Sequence, residues 1–362
     1  MQHIISGTRI GALALLLGAC QVFPPSEEAR GKQGNVRAAS QAQADELARA
    51  LDELAPRVRA LLPDARDRPL SVWVQDVPEL YWLPRTVMAE ADGFYAPGLH
   101  RIHLREQAED IERTLAHELV HATLGRSWEA LPGTLEEGLC DVVAAQLCPA
   151  SAARLRAGRL SSASLSLGSI DFELDASLAP EARADGLRVS FLARLRVDGA
   201  AAVPVDPLDV FRSSAGLSSA KLSPHVKKAL YGLAGMVVQR IVDRRGFTGL
   251  HDLCVRARAQ DHEHIPTEWI LEAAGLDRDH EHWRDALLAG MGQPELLEFV
   301  RGHPDLATPA LVEFLGPRSA GQLPGAVLRT LRASLRLPQS GAAVELLAQP
   351  EVLASLAQAW ND

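Results

Sequence analysis

Residues 112–125 read ERTLAHELVHATLG, a Pro-free run closed by Gly125 in which two histidines stand four positions apart. The apolar residues recur at helical spacing and Gly is a favoured stop, so the run reads as one helix. His117 and His121 then share a face and are close enough to grip one ion. Glu118 is rotated by about 100° from His117, where its carboxylate reaches a water on that ion. His-Glu-x-x-His is the order in which two imidazoles bind zinc and the Glu acts as general base. Ala116, Leu119, Val120 and Ala122 are uncharged, as a buried metal helix needs. The competing reading is an amphipathic helix with incidental histidines.

A catalytic zinc takes three protein ligands and leaves the fourth position to water. The metzincin spacing would put Gly at position 124 and His at 127, where Leu124 and Ser127 stand, so that pattern is excluded. The stretch GTLEEGLCDVV supplies a carboxylate instead. On a helix, Glu137 and Asp141 share a face, so Glu137 fits the third ligand and Asp141 the acceptor that fixes a ligand histidine's tautomer. Glu136 is a weaker candidate, because its neighbour four residues on is Cys140. Glu137 has a rival use: with Thr134 it fits a capping box, which would turn its carboxylate back to the helix start.

HELVH and EEGLCD together resemble the gluzincin metallopeptidases, the broad thermolysin-like group. The likeness covers about residues 70–145, with a weaker one at 230–254. It implies zinc, one per chain, on His117, His121 and Glu137, with Glu118 as general base and Asp141 behind the ligands. GFYAPGLHRIHL resembles the family's edge strand, which pairs with extended substrate. ALYGLAGMVVQRIVDRRG resembles the helix that follows the active site in several branches, which makes Tyr231 the candidate oxyanion donor, with His225 behind it. Fifteen residues separate His121 from Glu137, a short spacing for the group.

The chain start adds a location. MQHIISGTRIGALALLLGAC has a short basic start, an apolar run from Ile10 to Ala19, and then Cys20. That run is too short to span a bilayer of about 30 Å but suits a signal-peptide core. LGAC resembles the bacterial lipoprotein box, which implies lipidation of Cys20, and Gln21 resembles the outer-membrane sorting pattern. The expectation is a lipid-anchored protein on the periplasmic face of the outer membrane. Cys140, Cys148 and Cys254 then lie in an oxidising compartment. Cys140 and Cys148, on one helix about 12 Å apart, are too distant for a disulfide; Cys254 with either stays open. Cys140 itself reads as a small buried apolar residue.

Of 362 residues, 23% are charged and 47% apolar, a globular composition, and the net charge of −9 argues against a nucleic-acid surface. Of 37 basic residues only Lys32, Lys221, Lys227 and Lys228 are lysines. The fold class expected is α+β and predominantly helical, with a zincin-like core and a helical C-terminal extension. A signal peptide over 1–19 precedes the lipidated Cys and a flexible tether over 20–44. The zincin-like subdomain spans 45–149, an insertion 150–223, a helical subdomain 224–290 and the extension 291–362. Helices are expected at Asp45–Leu62, Glu109–Leu124, Leu135–Leu147 and Pro224–Asp243, with a strand at Leu70–Val77. DHEH, at Asp261–His264 and again at Asp279–His282, reads as two solvated helix starts, and His100 and His103 as strand residues without a function. The activity expected is hydrolysis of a peptide or protein substrate, or of a cell-wall amide by the same chemistry. The alternative is an inactive envelope binding lipoprotein with a vestigial or structural zinc site.

Overall fold

A computed structural model describes residues 25–75, 92–178, 188–198, 206–212, 223–279 and 281–289, short pieces between 291 and 299, and residues 335–336 and 343–347. The signal segment and Cys20 lie outside the described residues. So do Asp76 and Val77, the last two residues of the expected 70–77 strand, and residues 301–334 of the expected helical extension.

The fold is α+β and mostly helical, around a small mixed sheet of five short strands. They are β1 (Glu27–Arg30), β2 (Gly34–Ala38), β3 (Leu70–Val74), β4 (Gly93–Ala96) and β5 (Arg101–Leu104), in the order β1-β2-β3-β5-β4. The pairs β2–β3 and β3–β5 are parallel; β1 and β4 close the two edges antiparallel. In LSVWV the residues alternate between faces, so Leu70, Val72 and Val74 are buried while Ser71 and Trp73 are half-buried. Helix α1 (Gln41–Leu61) covers the inner face with Leu47, Leu51, Leu54 and Val58, all buried at the spacing the sequence predicts. Its first turn is capped by the Ser40 side chain, which accepts from the Gln43 N–H.

The flexible tether expected over 20–44 is corrected from residue 27 on, where 27–38 form the β1–β2 hairpin and α1 begins at Gln41. Few large apolar residues are needed there, because only Ala29, Val36 and Ala38 are buried. The Asp52 carboxylate of α1 accepts the Lys32 and Gln33 N–H groups and fixes the turn to the helix.

Helix α2 (Ile111–Thr123) carries HELVH and is capped by Asp110, whose side chain accepts from the Arg113 N–H. A short loop leads to α3 (Gly133–Leu147), most of which is buried, and then directly to α4 (Pro149–Leu167). Pro149 sits at the first turn of α4, where its missing N–H costs nothing. The long helix α6 (Pro224–Ala259), which follows the short α5 (Asp209–Arg212), packs on both α3 and α4. It bends at Gly246, φ 69°, a left-handed conformation that glycine adopts without strain. The bend falls just beyond Asp243, where the expected Pro224–Asp243 helix ends. Close approach of α6 to α3 requires Gly138, since a Cβ there would lie 2.5 Å from the Ala234 carbonyl oxygen.

The insertion expected over 150–223 is corrected as well. Its first part is α4, whose Leu160, Ala163 and Leu167 are buried in the same core as α3 and α6. The rest includes β6 (Ser169–Leu178) and β7 (Arg188–Asp198), an antiparallel pair. Beyond α7 (Thr267–Ala274) and α8 (Glu281–Leu288) the extension was expected to be helical, yet Ala343–Leu347 is strand β9. With β8 (Leu335–Arg336) it completes a second sheet in the order β6-β7-β9-β8. Five residues are too few to sustain a helix alone, whereas the edge of β7 offers a full set of partners. No described helix is long and apolar enough to cross a membrane. Among the described residues Cys140, Cys148 and Cys254 are all free thiols.

Candidate metal centre

Helix α2 lays its HELVH face against the first two turns of α3, and the site forms between them. His117 and His121 have ring centroids 5.4 Å apart, one turn of helix. From α3, Glu137 Oε2 lies 3.3 Å from His117 Nε2 and 3.6 Å from His121 Nε2. Cys140 Sγ, one turn further along α3, lies 3.4 Å from His121 Nε2. His117, His121 and Cys140 form a group that can hold a metal ion, with ligand atoms all within 4.8 Å of one another.

The outer nitrogens fix which lone pairs face inward. His117 Nδ1 donates to Asp141 Oδ1 at 3.1 Å, and His121 Nδ1 donates to Glu136 Oε1 at 2.7 Å. Each Nε2 then faces Glu137, donating to its carboxylate when the ring is protonated, or, when the ring is neutral with its proton on Nδ1, presenting a lone pair that a metal ion can take. The two Nε2 atoms thus face Glu137 Oε2 on one side, and with Cys140 Sγ they form the group able to share an ion. Protons on the imidazoles, or a cation in their place, keep such a set from repelling itself. Imidazole nitrogen, carboxylate oxygen and thiolate sulfur are all within zinc's repertoire.

Burial pushes the Glu137 carboxyl up, but hydrogen bonds from His117 and His121 outweigh it and hold the group well below the usual carboxylate range. Asp141 is likewise pushed up by burial, and Arg159 and His117 pull it down overall. Arg159, from α4, forks onto that carboxylate: Nε to Oδ2 at 2.5 Å and Nη2 to Oδ1 at 3.0 Å. One buried carboxylate thus holds His117 in its tautomer and is itself held by a guanidinium. Glu118 faces another way. It is only 5% exposed. Burial raises its pKa, against a smaller lowering by His117 and His121.

The residues predicted for the site are thus brought together around His117, His121, Glu118, Glu137 and Asp141. The capping-box use of Glu137 is not realised: α3 has no side-chain cap, and the buried Thr134 hydroxyl has no partner. Tyr231, on α6, is half-buried with its ring under the Arg159 guanidinium, 5.4 Å from the ring centre. Burial and the nearby Glu137 charge push its phenol well up, so it stands as a neutral O–H. His225, by contrast, is exposed near the start of α6.

Three participants escaped the sequence reading. Cys140, expected to be an apolar filler, points its sulfur at His121. Glu136, set aside because Cys140 follows it at the fourth position, faces the same histidine for that reason: both lie on one stripe of α3. Arg159 lay in the presumed insertion and carried no signal. His103 is buried, stacked on Phe94 with ring centroids 4.6 Å apart, and burial pushes it down to about 4, which fits a packing role. Comparisons with family models, with curated proteins and with solved structures find no match to this chain.

Proposed function

We propose that the chain is a zinc-dependent peptide-bond hydrolase of the gluzincin type, anchored in the bacterial envelope by a lipid on Cys20. The observation that carries the reading is the convergence of His117 Nε2, His121 Nε2 and Glu137 Oε2 beside a buried carboxylate, Glu118, that neither histidine uses. In this reading the five-stranded sheet with its edge strand β4, the helix α2 bearing HELVH and the helix α3 bearing Glu137 would make up a zincin-like core.

In this reading His117, His121 and Glu137 hold the zinc, and Asp141 and Glu136 keep the two rings aimed. Zinc bound there supplies Lewis acidity, lowering the pKa of water and polarising a carbonyl. Glu118 takes a proton from the attacking water and returns it to the leaving amine. Its raised pKa suits a group that must accept and then give up a proton near neutrality. Tyr231 offers its O–H to the oxyanion. The outer edge of β4 offers backbone groups to an extended peptide. The zinc chemistry extends equally to a cell-wall amide.

Cleavage of an unfolded, dye-labelled protein by the purified full-length chain tests this. Chelator is expected to abolish cleavage, and about one equivalent of zinc to restore it. Cleavage indifferent to chelator would remove the metal from the mechanism. One observation favours the alternative, an inactive envelope binding lipoprotein with a structural zinc: the nearness of Cys140 to His121.

A further inference from the structure

Zinc sites that do chemistry keep one position open, and sites that only brace a fold are closed by four protein ligands. Cys140 decides between these states here. With metal–nitrogen and metal–oxygen bonds of about 2.0–2.1 Å, tetrahedral ligand atoms stand about 3.3–3.4 Å apart, and a sulfur bonded at about 2.3 Å stands about 3.6 Å from a nitrogen. The separations found are 3.3 and 3.6 Å for Glu137 Oε2 against the two histidines, and 3.4 Å for Cys140 Sγ against His121. These three of the six edges match tetrahedral separations to within a few tenths of an ångström, and His117, His121 and Cys140 are the group close enough to share one ion. Cys140 follows Glu137 by three residues on α3, so both side chains project from one face toward α2. Its side chain is 0% exposed, which suits an inward ligand rather than a thiol that meets solvent oxidants.

We propose that Cys140 is the fourth protein ligand of the metal centre, so that a thiolate closes the site at rest and must let go before water and substrate can enter. The proposal rests on the metal-centre reading given above and adds a regulated step to it. On loading, the S–H bond breaks, a sulfur–metal bond forms and the proton goes to solvent. On opening, the sulfur–metal bond breaks and the sulfur regains a proton from solvent; no electrons are transferred. Release leaves His117, His121 and Glu137 in place, so the same chain serves as a closed, braced centre and as an open, reactive one.

Cobalt(II) titration of the full-length chain reads this without any activity assay. About one cobalt per chain is expected, with a near-ultraviolet sulfur-to-cobalt charge-transfer band. In Cys140→Ala the band is expected to vanish and cobalt affinity to fall on the order of tenfold or more. Cys148 and Cys254 are internal controls, and a band that survives in Cys140→Ala would place the sulfur on one of them and overturn the proposal. Cobalt bound stoichiometrically without the band would also overturn it while leaving the metal centre intact. Failure of the wild-type chain to bind cobalt would overturn the metal centre itself. Should Cys140→Ala not fold, X-ray absorption on the zinc-loaded wild type decides alone: a sulfur neighbour at about 2.3 Å is expected, and only nitrogen and oxygen neighbours would refute the assignment.

Discussion

Glu118→Gln is expected to keep its metal and to lose hydrolysis of an unfolded protein substrate by about 10²–10⁴-fold, the range that a positioned general base supplies. The substitution is nearly isosteric, so packing around a side chain that is 5% exposed is preserved. A glutamine amide keeps the shape of the carboxylate but cannot take a proton from water. Glu118 bonds to neither His117 nor His121, whose outer nitrogens are engaged by Asp141 and Glu136. Zinc content should therefore equal that of the wild type. Turnover retained by the purified variant would remove Glu118 from the chemistry. An inactive wild type with a normal metal content would favour the closed, structural centre.

Asp141→Ala is expected to damage the protein in two separable ways. Asp141 forks onto Arg159 and holds His117 Nδ1 at once. Its side chain is 6% exposed and that of Arg159 27%, so removing the carboxylate strands a largely buried guanidinium, a loss of about 3–5 kcal/mol of folding stability. The freed His117 ring loses its fixed tautomer, and zinc affinity should fall about 10–100-fold. The double variant Asp141→Ala/Arg159→Met separates the two. With the stranded charge removed, thermal stability should recover in part while zinc affinity stays low. Recovery of both together would show that Asp141 only balances the charge of Arg159.

Much of this arrangement was legible in the chain. Long helices announce themselves by period: Leu47, Leu51, Leu54 and Val58 predict α1, and the His117–His121 interval predicts that both rings face one way. Adjacent glutamates on α3 were harder, because capping and ligation use the same residue type at the same offset from Thr134. Only the burial of Thr134 without a partner and the approach of α2 decide for the histidines. The hairpin over 27–38 was missed because Ala29, Val36 and Ala38 are its only buried residues. An arginine gives no local signal of its partner, so Arg159 emerged only when α4 was seen packed along α6 beside α3. Cys140 is hard to read for a related reason: a small apolar-looking residue on a buried helix fits packing equally well until His121 Nε2 is placed 3.4 Å from its sulfur.

Zinc bound per chain, counted by elemental mass spectrometry after exhaustive dialysis of soluble residues 21–362, tests the central claim most directly. About one zinc is predicted for the native sequence, and far less for Glu137→Ala, whose carboxylate oxygen stands 3.3 Å and 3.6 Å from the two ligand nitrogens. A well-folded native chain with no zinc would contradict the account.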